Sequence, residues 1–311
     1  MGSKTFKNLD EQIEQLQQKG LVIDDIDYAK EVLLRENYFF LNGYRHLFLA
    51  LDGSKKFLNN ANFRELYGLF NFDRQLRNIL FKNILIVENN LKSILSYVMS
   101  KNHGFKEQNY LNSANFTHDN SKNRQINDLL RKMKRQITVN GKQHTATSHY
   151  MKNYGYIPLW IVVKVLSFGI VGELYSILQH QDQVEIAEIY NVEVNSLIHY
   201  LPILANYRNV CAHEDICYAN RTSKRIEPTR YHDILNITRD NDGEYIYGLN
   251  DLFSIIIIMK RILKEDDFIL MMNEINYEID ILDGKLEVIT IERVLDAMGL
   301  PENYREIVRI K

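Results

Sequence analysis

The chain has 311 residues, of which 45% are hydrophobic. Its 14 glycines and 4 prolines are about 6% of the chain, half the usual share, which excludes collagen-like and low-complexity proteins and disfavours a turn-rich β-sandwich. The chain has 38 Lys and Arg residues and 40 Asp and Glu residues, giving a net charge of −2. This balance alone is not typical of a nucleic-acid-binding protein.

The sequence favours a cytoplasmic protein. Two cysteines, Cys211 and Cys217, are too few for a disulfide scaffold and fit a reducing compartment. The N-terminus lacks the apolar stretch of a signal peptide. Lys164 and Glu173 interrupt the most apolar segment, 157–178, before it reaches the length of a membrane span. We therefore expect no membrane contact.

The first predicted elements are two short helices. Asp24 or Asp25 can cap the second of them, and Gly20 would end the first. Segment 38–48 is predicted to be an aromatic-rich turn centred on Gly43. The face of the first helix is formed by three apolar residues at helical spacing, Leu9, Ile13 and Leu16.

The longest predicted element is a helix from residue 63 to about residue 99, which no proline interrupts. Its apolar residues recur at helical spacing at Phe72, Leu76, Leu80, Val87, Leu91, Ile94, Leu95 and Val98. A polar loop over 101–120, a helix over 125–137 and an irregular segment over 143–155 are expected to follow. Further helices are predicted over 158–180, 183–190 and 194–213.

After residue 214 the chain is predicted to be less regular. A short hairpin is expected over 241–248, because this segment contains the turn-forming Asn-Asp-Gly sequence. Thr290 can cap a helix that ends at Gly299, and a last short helix starts near Pro301. Together with helices over 251–264 and 266–282, these elements predict an all-α, mainly helical chain.

Several catalytic signatures do not occur in the sequence. It has no P-loop, no G-x-G-x-x-G, no G-x-S-x-G, no H-E-x-x-H and no C-x-x-C, which disfavours NTPases, dinucleotide enzymes, serine hydrolases and zincins. Cys211, His213 and Cys217 give three potential zinc ligands in one short segment, but no second cluster accompanies them. Two incidental thiols are the favoured interpretation, and we expect no metal and no cofactor.

Segment 195–221 carries the residues best suited to chemistry. An apolar stripe of Leu197, Leu201, Leu204 and Ala205 has Arg208 as its next member at helical spacing. His213 follows five residues later, so both side chains can border one cleft. Arginine can hold a phosphate, and histidine can move a proton near neutral pH. The alternative is structural, an interhelical ion pair of Arg208, for which Glu88 is a candidate.

The bare Arg-x4-6-His spacing is not specific, because Arg225 and His232 show it too. Six segments of the sequence are more informative, and one of them, YRNVCAHEDICYANR, contains the motif. They are 4–25, 38–48, 66–104, 158–178, 207–221 and 295–304. Together and in this order, they resemble the abortive-infection proteins of the AbiD/AbiF type, whose core is similar to the HEPN nuclease fold.

The resemblance implies a HEPN-like helical bundle over residues 61–235. An N-terminal helical segment, 1–60, would precede this core, and a C-terminal helical extension, 236–311, would follow it, all in one compact unit.

The resemblance also implies an active site and a reaction. The HEPN motif maps onto Arg208, Asn209 and His213, and implies metal-independent RNA cleavage by attack of the substrate's own 2′-OH. His213 would be the general base or acid, Arg208 would stabilise the transition state, and Asn209 would orient the phosphate or the histidine. Glu214 follows the motif where related sequences often carry a second histidine or another polar residue. Because HEPN sites commonly combine two facing motifs, a C2 homodimer is expected.

Basic residues are concentrated around the motif, while segment 265–283 has seven acidic residues and no Lys or Arg. RNA contacts are predicted at two basic runs: Lys122, Arg124, Arg131, Lys132, Lys134, Arg135 and Lys142 in the first, and Arg221, Lys224, Arg225 and Arg230 in the second. A second hypothesis is a non-catalytic protein that holds a structured noncoding RNA with the same residues, since some AbiF-type relatives are encoded beside such an RNA. A third is a helical scaffold that binds only proteins.

Overall fold

The computed structural model describes residues 5–140 and 143–310, and over these residues the protein is all-α, as predicted. In this part of the chain no β-strand forms, and only isolated β-bridges occur. Short 3-10 helices cover 43–48, 113–115, 120–122 and 304–308. The α-helices are α1 (Leu9–Gln18), α2 (Ile26–Glu36), α3 (Tyr38–Asn42), α4 (Phe63–His103), α5 (Glu107–Tyr110), α6 (Asn123–Asn140), α7 (Thr145–Tyr154), α8 (Leu159–Val165), α9 (Phe168–Ile177), α10 (His180–Ile189), α11 (Val194–Ala212), α12 (Arg230–Ile234), α13 (Leu252–Ile262), α14 (Glu265–Asp283) and α15 (Ile291–Met298).

Helix α4 is the central element of the fold. Its 41 residues extend about 60 Å at 1.5 Å per residue. The helix begins at Asn62, whose side chain accepts a hydrogen bond from the Glu65 N–H at 2.8 Å, and it ends at Gly104. Helices α8, α9, α10, α11 and α14 all pack against α4. The position of any functional group on these helices is therefore set relative to α4.

Helix α14 runs antiparallel to α4. At the middle of α14, Glu274 forms an ion pair with Lys82 at 2.7 Å. Beyond α14, one oxygen of the buried Glu65 carboxylate accepts hydrogen bonds from three consecutive backbone N–H groups of residues 287–289, at 2.9–3.1 Å. These contacts fix the C-terminal part of the chain on the first turn of α4.

The N-terminal part of the chain packs on the first half of α4. Glu36 at the end of α2 forms an ion pair with Arg74 and accepts a hydrogen bond from Tyr67 at 3.1 Å. Buried apolar side chains from the N-terminal, central and C-terminal parts belong to one hydrophobic cluster. The boundaries at residues 60 and 235 stay a prediction. None of the described helices is both long and apolar enough to cross a lipid bilayer.

Three local predictions are wrong. Most of segment 143–155 forms α7, which has no apolar stripe. Its one buried side chain is Thr147, whose hydroxyl is within hydrogen-bond distance of the carbonyls of Asn140 and His144. The predicted turn over 38–48 is α3 followed by a 3-10 helix. The predicted helix over 158–180 is divided between α8 and α9, because Leu166 is extended and the Ser167 side chain accepts a hydrogen bond from the Ile170 N–H.

The structure also differs in part from the predicted loop over 101–120 and from the predicted hairpin over 241–248. Helix α4 extends to His103, and the short helix α5 forms within the loop. In place of a hairpin ladder, a single antiparallel bridge joins Arg239 and Tyr245. The predicted cap Asp25 does start α2, since its side chain accepts a hydrogen bond from the Tyr28 N–H at 2.9 Å.

Candidate functional site

The candidate site lies at the C-terminal end of α11. The His213 N–H donates to the Asn209 carbonyl at 2.9 Å, and the Asp215 N–H donates to the Val210 carbonyl at 3.1 Å. Between them, Glu214 has a φ of 57°, the left-handed conformation that usually requires glycine. The Asp215 bond and the left-handed Glu214 are two features of a Schellman ending, so the histidine of the motif stands at the helix terminus.

Arg208 lies in the groove between α11 and α4. Its Nε atom is 3.5 Å from Glu88 Oε2, and its guanidinium lies over the Phe81 ring, 5.5 Å from the centroid. The Arg208 side chain is 33% exposed, and the Glu88 side chain is 6% exposed. The structural alternative, an ion pair with Glu88, is thus present.

The contact with α4 leaves much of Arg208 available. The Nε atom and Glu88 Oε2 face each other without forming a hydrogen bond. Glu88 Oε1 already accepts a hydrogen bond from Lys92 at 2.6 Å, so its charge is shared with a second cation. Within the described residues, the two terminal nitrogens of Arg208 have no hydrogen-bond partner. A guanidinium held on one side and open on the other can receive an anion.

Asn209 and His213 are both exposed, and in the described part of the chain neither side chain forms a hydrogen bond. His213 is five residues beyond Arg208, about 140° further around the helix and one and a half turns along it. The structure therefore brings Arg208, Asn209 and His213 to the same end of α11. Glu214 is near Arg74 of α4, whose pKa is raised mainly by its hydrogen bonds with Glu36 and, to a smaller extent, by the Glu214 charge.

The loop after α11, residues 214–220, is fixed to α4 by a buried carboxylate; we name this segment the motif loop. The Asp73 carboxylate accepts hydrogen bonds from the backbone N–H groups of Cys217 at 3.0 Å and Tyr218 at 2.7 Å. It also accepts from the Tyr44 hydroxyl at 2.7 Å and from Arg77 at 2.6 Å. Arg77 and Asp73 are 3% and 0% exposed, so this is a fully buried ion pair.

A stack of rings covers the other side of the motif loop. Tyr218 is stacked between Tyr44 and His46, with centroid separations of 6.0 and 5.7 Å. The His46 Nε2 atom is 3.0 Å from the Tyr218 hydroxyl, and its Nδ1 atom is 3.4 Å from the Gly43 carbonyl. Burial lowers the pKa of His46, and the charge of Arg293 acts in the same direction. The neutral ring can then accept from Tyr218 while Nδ1–H points to Gly43.

The sequence did not identify Asp73 and Arg77 as residues that position the motif. The sequence did contain one signal for them. Asp73 and Arg77 are opposite charges at positions i and i+4, and they lie next to the apolar stripe of α4, a part of the helix where exposed residues are not expected. What these charges would contact is a loop about 140 residues away, which no spacing within α4 indicates.

The predicted first basic run lies mainly on the exposed face of α6. This helix packs on α8 and α9, and α9 packs on α11, so α6 is one layer removed from the motif. Lys132 forms an ion pair with Glu173 at 2.8 Å, Arg131 pairs with Asp128, and Lys122 donates to the Ser176 carbonyl at 3.0 Å. Three other cations of this run are exposed and form no ion pair with any described residue: Arg124, Lys134 and Arg135. Lys142 lies outside the described residues.

The second basic run directly follows the motif loop. Tyr207 of α11 donates to the Asn220 carbonyl at 3.0 Å, which holds the start of this run against the helix. Arg221 and Lys224 are exposed, and Arg225 is exposed but forms an ion pair with Glu244 at 2.8 Å. The second run is thus closer to Arg208 along the chain than the first run is, and its start contacts α11, the helix that carries Arg208.

The potential zinc ligands do not form a common site. Cys211 and Cys217 are free thiols and buried, whereas His213 is exposed. The hydrogen bond with Cys211, and to a smaller extent burial, raise the pKa of the Cys217 thiol. Over residues 5–140 and 143–310, no group of three His, Cys, Asp or Glu side chains has an arrangement that could hold a metal ion.

Comparison with known proteins gives one match. No curated protein and no solved structure matches the chain. The model of one protein family, described as Abi-like protein, matches residues 31–219, which is more than half of the chain and includes α4, α6, α11 and the motif loop up to Ala219. The chain therefore belongs to the Abi-like protein family, an abortive-infection family.

Proposed function

We propose that this protein acts in abortive infection as a metal-independent endoribonuclease of the HEPN type. The observation that carries the proposal is the arrangement at the end of α11. A guanidinium is held by α4 on one side only, and an exposed histidine lies one and a half turns further along the helix. Arginine beside histidine supplies the two functions that phosphodiester cleavage needs, charge stabilisation and proton transfer.

The proposed reaction is a transesterification within the RNA. A 2′-OH attacks the adjacent phosphorus, and the bond from phosphorus to the 5′ oxygen of the next nucleotide breaks. The products are a 2′,3′-cyclic phosphate and a free 5′-OH. The proton lost by the 2′-OH goes to a general base, and the leaving 5′ oxygen gains a proton from a general acid, so the reaction consumes no water and no cofactor.

Three residues have distinct roles in this reaction. His213 is the general base or the general acid. Arg208 binds the phosphate oxygens and stabilises the extra negative charge that develops on them in the transition state. Asn209 precedes His213 by one helical turn and orients the phosphate or the imidazole. Because Glu88 is already paired with Lys92, Arg208 keeps a net positive charge for the substrate.

Because the resemblance supports one such motif per chain, at Arg208 and His213, we also propose a C2 homodimer in which two motifs line one cleft. The second histidine would then supply the proton-transfer partner that one chain lacks. Contact with such a partner chain could explain an arginine on the apolar stripe of α11. The structure gives a different reason, since Phe81 and Glu88 of the same chain contact Arg208. The proposal of a dimer therefore depends on the need for a second proton-transfer group. Dilution tests it: the cleavage rate per protein molecule is expected to fall once the dimers dissociate.

RNA is proposed to follow the exposed cations near the motif. Arg221 and Lys224, which form no ion pair with any described residue, are the first candidates because their segment is held against α11. The exposed cations of α6, namely Arg124, Lys134 and Arg135, would extend the path to a second layer. Neutralising phosphate contacts makes binding weaker at higher salt, with a slope that reflects the number of contacts.

A second candidate function keeps the same site without cleavage. In this case Arg208, His213 and the basic residues hold a structured noncoding RNA. The exposed, unpaired Asn209 and His213 side chains favour this candidate as much as the first, because both can donate hydrogen bonds to RNA.

The decisive experiment combines RNA sequencing with end-group chemistry. RNA bound to, or incubated with, the wild-type protein is expected to carry 2′,3′-cyclic phosphate and 5′-OH ends, also in the presence of EDTA. Arg208→Ala and His213→Ala are expected to abolish these ends. Arg35→Ala and His180→Ala are matched controls, since both side chains are exposed and neither residue belongs to the motif.

Glu88→Gln separates a catalytic role of Arg208 from a purely structural one. If Arg208 acted only through its ion pair, Glu88→Gln would abolish cleavage as completely as Arg208→Ala. We expect substantial cleavage to remain. Cleavage that survives both Arg208→Ala and His213→Ala contradicts the nuclease proposal. RNA that copurifies uncleaved with wild type, and in smaller amounts with both variants, supports the noncoding-RNA candidate instead.

A further inference from the structure

A large pocket lies at the other end of α11. It is open, has a volume of about 840 Å³, and lies between the end of α10, the first turns of α11, α12, the end of α13 and the start of α14. His199, which lines it, precedes Arg208 by nine residues, about 13 Å along the helix. The pocket is therefore separate from the candidate nuclease site.

Three cations line this pocket, and in the described part of the chain none of them has a carboxylate partner. Arg230, Lys260 and Arg261 each lie over an aromatic ring that also lines the pocket, at 5.2, 5.2 and 5.6 Å from the ring centroid. The rings are those of Tyr231, Phe268 and Tyr200 respectively. Lys260 makes one hydrogen bond, to the Val308 carbonyl at 3.2 Å, and Arg261 donates to the Tyr200 hydroxyl.

The position of Lys260 is costly for a cation. Burial lowers its pKa, the carboxylate of Glu265 acts against this, and the charge of Arg230 lowers it further. Three carboxylates line the same pocket, but Glu193, Glu227 and Glu265 are all exposed, whereas Lys260 and Arg261 are half-buried. The formal charges of these six side chains balance, but the two that are half-buried, Lys260 and Arg261, are both cationic.

Two long helices also begin at this pocket. Helices α11 and α14 have 19 residues each, and neither Glu193 nor Lys264, their N-cap residues, accepts a capping hydrogen bond with its side chain. The free N–H groups and the dipole of a helix N-terminus both favour an anion. In α14 the acidic first turn, Glu265–Asp267, offsets this dipole, so α11 is the helix whose N-terminus adds to the three cations.

We propose that this pocket binds a nucleoside phosphate. Phosphate oxygens suit the cations and the free N–H groups, because an arginine can bind phosphate through two parallel hydrogen bonds. A base can stack on the plane of the Arg230 guanidinium, which already lies on Tyr231. The volume is within the range of small-molecule sites. The proposal does not depend on nuclease activity, since binding alone is its readout.

Calorimetric titration of the full chain tests the proposal. The probes are nucleoside 5′-diphosphates of the four common bases, with adenosine, inorganic phosphate and a single-stranded RNA decamer for comparison. Saturable binding of at least one diphosphate is expected, with much weaker binding of adenosine and of inorganic phosphate. Arg230→Gln and Arg261→Gln are each expected to weaken binding about ten- to hundredfold, the usual effect of losing a charged hydrogen bond.

Lys152→Gln is the matched control, because Lys152 is an exposed cation on α7 outside the pocket. Arg230 is exposed, so its variant is expected to fold normally even if the half-buried Arg261 is less tolerant. The proposal is overturned if no diphosphate binds, if Arg230→Gln binds as wild type does, or if inorganic phosphate binds as tightly as the nucleotides. Binding of the decamer alone would assign the pocket to the RNA path and also overturn it.

Discussion

Replacing Asp73 by asparagine tests the contact that fixes the motif loop on α4. The change keeps the shape of the side chain but removes the charge opposite Arg77, which is 3% exposed. Leaving a buried charge without its partner costs about 3–5 kcal/mol. The amide also has one acceptor oxygen instead of two, so Cys217 or Tyr218 loses a hydrogen-bond acceptor. We expect the free energy of unfolding to fall by about 4 kcal/mol, measured by urea denaturation followed by circular dichroism.

Glu36→Gln is the matched control, because it removes the acid of another arginine pair on α4. The side chains of Arg74 and Glu36 are 31% and 15% exposed, so water compensates part of the loss, and a cost of about 1 kcal/mol is expected. Adding Arg77→Met to Asp73→Asn removes the uncompensated charge and is expected to restore part of the stability. The reasoning is refuted if Asp73→Asn costs no more than Glu36→Gln, or if the double variant is less stable than Asp73→Asn.

Three further predictions concern the same region and the pocket. Glu214→Gly relieves the left-handed conformation at φ 57° and is expected to raise the free energy of unfolding by about 0.5–1 kcal/mol in urea titrations. Tyr190→Phe removes a buried hydroxyl that has no partner among the described residues, so the thermal midpoint is expected to stay equal or rise. Burial lowers the pKa of His46, so the unfolded chain binds its proton more readily and stability is lost as pH falls below about 6.5. The difference in urea midpoint between pH 7.5 and pH 5.5 is expected to be smaller in His46→Asn, and an equal difference would contradict this.

The helices that the sequence predicts well are those with both an apolar stripe and a defined end. Helix α4 has uninterrupted apolar spacing and a glycine after it, and α11 has the stripe that leads to Arg208. Helix α7 has one buried side chain, Thr147, so no periodicity was available to predict it. The break between α8 and α9 was missed because Ser167, which caps α9, is embedded in a continuous apolar run.

The candidate site was predictable only in part, because sequence spacing describes one helix at a time. The spacing placed Arg208 on the apolar stripe of α11, and the structural alternative named Glu88 as a candidate partner; the two side chains do meet. The buried pair of Asp73 and Arg77 was not predictable, since its function depends on which loop packs on α4. The same limit applies to α6. Its basic face follows from the sequence, but its position, separated from α11 by α9, could not be predicted from the sequence.

The contacts of α4 explain how one chain sets the geometry of the motif. Asp73, Arg77, Phe81, Glu88 and Lys92 are separated by steps of four or seven residues, so they share one face of the helix. The beginning of this face binds the motif loop, and its middle binds Arg208, so α11 runs antiparallel to α4. Arg208 and the start of the motif loop are therefore positioned by the same rigid helix. A second chain is not needed to orient either of them, and its proposed contribution is reduced to the second histidine.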